Sequence, residues 1–462
     1  MHIKVRGQVA RDNAPPPPAP ESAMRTHLYP ARFRQDRGVL DLACPTDTRR
    51  FHAGVGSLDL LRALRDSRQR QRPLALNLHW PCSDGGDDYL RSLTQEIQLI
   101  GCQLGPRQPV EHFYLRGTPP AMEVLQPLMA QLRERFHFLD HDRGDYRIDL
   151  DPWHMDWATM GLLREQGFNH ASIGVPDAHS DGPVSQARYQ DPAPIESLVD
   201  AARTFGFRSV NIDLGYGHAW QTPASFDVKL ASLIALEPDR VQVFDYAQAP
   251  ARYQARPPQA FCSEADKSAM RRSSFQHLTA AGYHYIGLGQ FARADDDLKQ
   301  AQERGRLSRN CEGFTLHGYC DHVGFGLGAI SQIDTLCAQN TTDARQYREQ
   351  LGNGQLATGR GWLREAADPV RLHVAERLAC DLELDIQAVE RRYGLVFPRY
   401  FANLWPLLEA LHRDGLIELT PTFIWLLPAG LPQVDGICAL FERAALGTPV
   451  SANDEVIDHE CF

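Results

Sequence analysis

Six short apolar strands, each followed by a segment of helical periodicity, constrain this chain more than any other feature. LALNLH (74–79) precedes a helix from about Asp87, EHFYLR (111–116) one from about Ala121, and YRIDLD (146–151) one near Asp156. HASIGV (170–175), SVNIDL (209–214) and RVQVFDY (240–246) precede helices near Ile195, Ala224 and Ser263. Strand–helix alternation of this kind builds a parallel sheet, because the return path between parallel neighbours needs a crossover helix. The strands read as nearly continuous apolar runs, as expected where helices cover a parallel sheet. The predicted fold class is α/β, an incomplete (β/α)6 TIM-type barrel. Polar and glycine residues fall at the C-terminal ends of the strands, where barrel active sites form.

After about Ile333 the pattern becomes helical, through DPVRLHVAERLACDLEL, IQAVERRYG and FANLWPLLEALHRDG. A short strand pair, LIELTPTFIWLLP, and a last helix around VDGICALFER follow. The predicted organisation is a disordered proline-rich segment over 1–24 (NAPPPPAPES within it), the partial barrel over 25–332, a helical, winged-helix-like domain over 333–445, and a tail over 446–462.

The charge balance limits the partners. A formal net charge of −10 opposes a nucleic-acid role, and the arginine cluster RALRDSRQRQR reads as the solvated end of a helix. No apolar run reaches the length of a membrane span and the N-terminus lacks a signal-peptide core, so a cytoplasmic location is expected. The ten cysteines are dispersed without any CxxC, a pattern of small buried hydrophobes in a reducing compartment rather than of a disulfide framework.

Many collinear segments carry a family resemblance: MRTHLYP, RGTP, IDLDP, VNIDLGYG, QTPASF, VFDYA, YHYIGLGQFARADDDLKQAQERGRLSRNCEGFT, GLGAIS and CAQN. With these the chain resembles the oxygen-independent coproporphyrinogen III oxidase (dehydrogenase) family of radical SAM enzymes, from Arg25 to about Arg443. The resemblance implies S-adenosylmethionine as cofactor and a tetrapyrrole as substrate, with haem-biosynthesis proteins as natural partners. In that family a CxxxCxxC turn after the first strand holds a [4Fe–4S] cluster that cleaves the cofactor.

This chain departs from the family in that turn. LALNLHWPCSDGGDDYLRSLTQEI contains one cysteine, Cys82, one residue ahead of the aligned Ser83, and the loop that should carry the others is missing. A [4Fe–4S] cluster is therefore not expected. The glycine-rich cofactor element is LRGTPP, keeping Gly117 and Thr118 but placing Arg116 where the family has glycine. Asp149 stands for a family glutamate and Pro176 for a glutamine, while Arg188, Asp213, Ala247 and Ile330 match cofactor-contacting positions. A structural reading of Asp213, as part of barrel packing or an ion pair, stands beside the functional one.

One segment gains potential ligands. RNCEGFTLHGYCDHVGFGLG places Cys311, His317, Cys320 and His322 close together. His317, Cys320 and His322 are candidate ligands for zinc or for haem iron, against the plain alternative of loop residues without a ligand. The leading expectation is a cluster-less relative that binds haem or a porphyrin precursor in a delivery or sensing role. The alternatives are an active coproporphyrinogen III oxidase with unusual cluster ligands, and a non-enzymatic scaffold or regulatory protein. No catalytic residue is assigned from the sequence.

Overall fold

The computed structural model describes residues 50–81, 86–140, 142–175, 183–248, 260–364 and 368–443. The proline-rich segment, the tail, Cys82, Ser83 and Pro176 lie outside the described residues.

A helix, α1 (Ser57–Arg70), leads into the first strand, β1 (Leu74–His79). There follow α2 (Asp87–Gly101), β2 (Pro109–Arg116), α3 (Met122–Arg135), the two-residue β3 (His137–Phe138), β4 (Asp145–Leu150) and α4 (Trp157–Glu165). Next are β5 (His170–Gly174), α5 (Pro183–Gln190), α6 (Ala193–Thr204), β6 (Ser209–Tyr216), α7 (Pro223–Ala235), β7 (Arg240–Asp245) and α8 (Glu264–Ala280). All six strand–helix units read from the sequence are present. Side-chain caps explain several helix starts: Asp156 accepts from the Thr159 amide at 2.8 Å, and Thr222 and Ser225 form a reciprocal capping box on α7.

The chain then adds β8 (His284–Gly287), β9 (Gln290–Ala292), α9 (Asp297–Glu303), and a hairpin of β10 (Ser308–Asn310) and β11 (Gly313–Thr315). β12 (Asp321–Phe325), β13 (Ile330–Ile333), β14 (Leu336–Asn340), α10 (Ala344–Gly352) and β15 (Thr358–Leu363) complete the sheet region. The main sheet runs β15-β14-β13-β12-β1-β2-β4-β5-β6-β7-β9-β8, with β3 beside β2. From β12 to β7 the pairing is parallel; the flanking strands at both edges are antiparallel. The sheet therefore continues past the expected boundary at 332/333. β14 and β15 join an existing edge, which short runs such as LCAQN do not announce in sequence.

From Pro369 onward the described residues form α11 (Pro369–Asp381), β16 (Glu383–Asp385), α12 (Ile386–Tyr393), α13 (Phe397–Tyr400), α14 (Trp405–Arg413), β17 (Ile417–Leu419), β18 (Phe423–Leu426) and α15 (Val434–Arg443). The three strands form a small antiparallel sheet. Among the described residues no helix is long and apolar enough to cross a membrane.

The strands alternate more strictly than their sequences suggest. Leu74, Leu76 and Leu78 of β1, Ile148 and Leu150 of β4, and Val210, Ile212 and Leu214 of β6 join one apolar core with Leu93, Ile97 and Leu230 from the helices. The other parity carries Asn77 and His79, Tyr114 and Arg116, Arg147 and Asp149, Ser172, Asn211 and Asp213. One face of the sheet is oil and the other is a dense field of hydrogen-bonding groups. That polar face positions the site.

Candidate functional site

Gly117 and Asp149 come together at the C-terminal ends of β2 and β4. Gly117 has φ +94°, and a Cβ there would stand 2.3 Å from the Trp80 carbonyl oxygen, so only glycine fits the approach to β1. Its amide donates to Asp149 Oδ2 at 3.1 Å, while the buried Tyr114 hydroxyl donates to Oδ1 at 2.7 Å. Both carboxylate oxygens of Asp149 thus have a protein donor.

Asp213 lies buried on β6, accepting from Asn211 Nδ2 at 2.8 Å and from Ser172 Oγ at 3.2 Å. Arg147 donates to the same Ser172 hydroxyl at 2.9 Å and lies 4.7 Å from the Tyr114 ring centroid. The chain Arg147–Ser172–Asp213–Asn211 links three neighbouring strands. Thr118 is exposed just beyond Gly117, Ala247 is exposed after β7, and Arg188 is exposed on α5 with its guanidinium 5.2 Å from the Trp153 ring centroid. Ile330 is half-buried at the start of β13. Of the sequence-predicted positions, Gly117 and Asp149 are joined by a hydrogen bond at the ends of their strands.

Arg116 is turned toward a residue that the sequence reading missed. Its Nη1 donates to both oxygens of Glu312 at 3.1 Å, and His79 Nε2 lies 3.3 Å from Glu312 Oε1. Burial alone would raise the Glu312 carboxyl, but the Arg116 charge and the His79 hydrogen bond hold it well below the usual range. Arg116 and Glu312 are each 12% exposed, and the pair ties the ends of β1 and β2 to the turn between β10 and β11. A signal existed in the sequence: an arginine at the end of a buried strand needs an anion, and Glu312 sits inside the family-like stretch.

The His/Cys segment divides in two. His322, on β12, lies with Nδ1 3.5 Å from Cys311 Sγ, and burial pushes its imidazole down to about 4. His317 and Cys320 lie elsewhere, with Glu111 of β2, and the three ligand atoms are within 4.8 Å of one another. The grouping expected from sequence spacing, His317 with Cys320 and His322, is replaced by Glu111, His317 and Cys320. Proximity along a loop does not decide which way its side chains turn.

His317 is held from behind. Its Nε2 is 2.7 Å from Asp145 Oδ2, while His170 Nε2 is 3.2 Å and Arg208 Nη1 3.0 Å from Oδ1. Burial would raise Asp145, yet its bonds to His170 and His317 outweigh this and keep the carboxyl below the usual range. An ionised Asp145 can only accept, so His317 presents its Nε2–H to it and turns Nδ1 toward Glu111 Oε2 at 3.7 Å. Burial and the nearby Glu111 charge push the Cys320 thiol up.

After the first strand, β1 ends at His79 and α2 begins at Asp87, and residues 80–86 contain one cysteine. The described cysteines stand on separate elements, and no group of three thiols forms among the described residues.

No family model matches the chain. Individual relatives do. The chain is 42% identical over 419 residues to the oxygen-independent coproporphyrinogen III oxidase of Pseudomonas aeruginosa, covering 85% of this chain and 90% of that one. It is 34% identical over 417 residues to the Escherichia coli protein of the same name, with the same two shares. The solved coproporphyrinogen III oxidase (HemN) of Escherichia coli, described as a radical SAM enzyme, superposes with a TM-score of 0.76 at 33% identity. That match covers 85% of this chain and 95% of that one. Identity at this level, across nearly the full length of the relatives, places the chain in the oxygen-independent coproporphyrinogen III oxidase family.

Proposed function

We propose that this protein works on coproporphyrinogen III, as the oxidase its relatives are named for. The observation that carries this reading is the 42% identity maintained across 85% of the chain. Oxidative decarboxylation of the substrate's propionate side chains is the reaction class. The relatives' names favour this reading over the accessory role to which the cysteine pattern points in sequence. The polar face of the sheet supports it: Arg147, Ser172, Asn211 and Asp213 form an ordered set of donors and acceptors suited to a polycarboxylate substrate and a charged cofactor. Gly117, Thr118, Asp149, Arg188, Asp213, Ala247 and Ile330 are the positions proposed to contact S-adenosylmethionine.

One specific observation favours a second reading, that of a cluster-less tetrapyrrole-binding protein. The seven residues between β1 and α2 supply one cysteine where a cluster of this class needs three thiolates. Those residues do not fit the family's [4Fe–4S] group. The Arg116–Glu312 pair adds to this reading, since it fills with a fixed side chain the place where the family has glycine.

One experiment separates the readings. The full chain, purified and reconstituted anaerobically with iron and sulfide, is supplied with S-adenosylmethionine, reductant and coproporphyrinogen III. Decarboxylated product together with 5′-deoxyadenosine establishes the oxidase. Tetrapyrrole binding without either product establishes the binding protein and overturns the first reading. Failure to bind the tetrapyrrole overturns both.

A further inference from the structure

The geometry points to a zinc site formed by Glu111, His317 and Cys320 at the N-terminal ends of the parallel strands, away from the cofactor region. The three ligand atoms lie within 4.8 Å of one another, and Glu111 Oε2 is 3.7 Å from His317 Nδ1. That spacing is too long for a hydrogen bond and close to the edge of a tetrahedron whose ligands stand about 2.0–2.2 Å from a zinc ion. A thiolate and a carboxylate would neutralise the dication, and a neutral imidazole completes a three-residue set with one position left for water.

Two independent features show a built arrangement. The first is the orientation of His317: Asp145 fixes the Nε2 proton at 2.7 Å, and Nδ1 is buried with no hydrogen-bond partner. A carboxylate holding the far nitrogen of a metal-binding histidine is the usual outer shell of such sites. The second is a bulge in β2. Pairing with β1 passes from Val110 opposite Leu74 to His112 opposite Ala75, leaving Glu111 as the extra residue. A bulge of this kind re-aims a side chain out of the regular alternation. Here Glu111 leaves the apolar parity of its strand and meets the loop that precedes β12, where the Tyr319 hydroxyl also donates to it.

Zinc bound there would clamp the 316–320 segment to β2 through Glu111 and to β4 through the His317–Asp145 bond.

The test uses the full chain. Zinc content is measured after dialysis against a weak chelator, and Co2+ is then substituted as a spectroscopic probe. We expect one zinc per chain, a thiolate-to-cobalt charge-transfer band in the near ultraviolet, and a zinc-dependent rise in Tm. Cys320→Ser should abolish the band, and Cys320→Ser, His317→Gln and Glu111→Gln should each lower zinc affinity at least tenfold. A cobalt form of the wild type without a thiolate band overturns the site, and this readout needs no variant to fold. Unchanged zinc stoichiometry and affinity in folded Cys320→Ser overturns it equally.

Discussion

Arg116 Nη1 stands 3.1 Å from each carboxylate oxygen of Glu312, joining the end of β2 to a turn almost 200 residues further along the chain. Two buried charges taken from water gain little net stability as a pair, but a single survivor is strongly penalised. Arg116→Ala should therefore cost about 3–5 kcal/mol. Arg116→Ala with Glu312→Ala should recover much of that loss. Urea unfolding of the two single variants and the double variant measures the coupling, and additive effects would show that the pair is not a unit.

The same pair predicts a change in ligand binding. Arg116→Gly combined with Glu312→Gln removes the guanidinium beside the proposed cofactor site without leaving a buried charge. S-adenosylmethionine affinity, followed by calorimetry, should rise at least tenfold over wild type. Equal affinity in both proteins would mean that Arg116 does not obstruct the proposed site.

Gly117→Ala should destabilise the chain by about 1–3 kcal/mol, the usual cost of a strained backbone position. The added methyl group would meet the Trp80 carbonyl at 2.3 Å, and the φ of +94° is one that side-chain-bearing residues rarely adopt. The shift in urea midpoint gives the value, and an unchanged midpoint would mean that the β1 and β2 ends can separate freely.

Glu96 should make stability fall as pH rises. This carboxyl is fully buried on α2 and accepts from the Gly326 amide at 2.8 Å, Asn340 Nδ2 at 2.6 Å and the Tyr347 hydroxyl at 2.6 Å. Burial outweighs those bonds and raises it from 4.5 to about 7. Between those values the folded state holds a proton that the unfolded state releases. The Glu96 contribution is therefore full below about pH 4.5, is lost progressively as pH rises toward 7, and stays lost above it. The whole effect is at most roughly 3 kcal/mol. Unfolding free energies of wild type and Glu96→Gln at about pH 5 and pH 8 test this. The wild type should lose more stability than the variant, and parallel behaviour would exclude Glu96 as the source.

Local pattern was enough to read the six strand–helix units. Burial of an apolar strand face against a helix requires the right residues within each segment, and LALNLH or SVNIDL carries that requirement wherever it is placed. The family resemblance was legible for the same reason: it rests on collinear motifs such as VNIDLGYG, and the 42% identity to a named relative shows the family. Gly117 and Asp149 could be named because a motif fixes their positions.

Pairings between distant segments were not legible. β14 and β15 extend the sheet because an edge with free hydrogen-bonding groups was available to them, a condition that exists only once the sheet has formed. Spacing along the chain grouped His317 with Cys320 and His322, whereas folding gave His317 and Cys320 a bulged Glu111 and turned His322 toward Cys311. Glu312 gained its role only from the buried arginine that folding carried to it. Sequence determined which residues prefer strand, helix, oil or water, since those preferences act over a few residues. The tertiary structure alone decided which charges meet, because desolvation demands a partner for each buried ion and leaves the choice of partner to the fold.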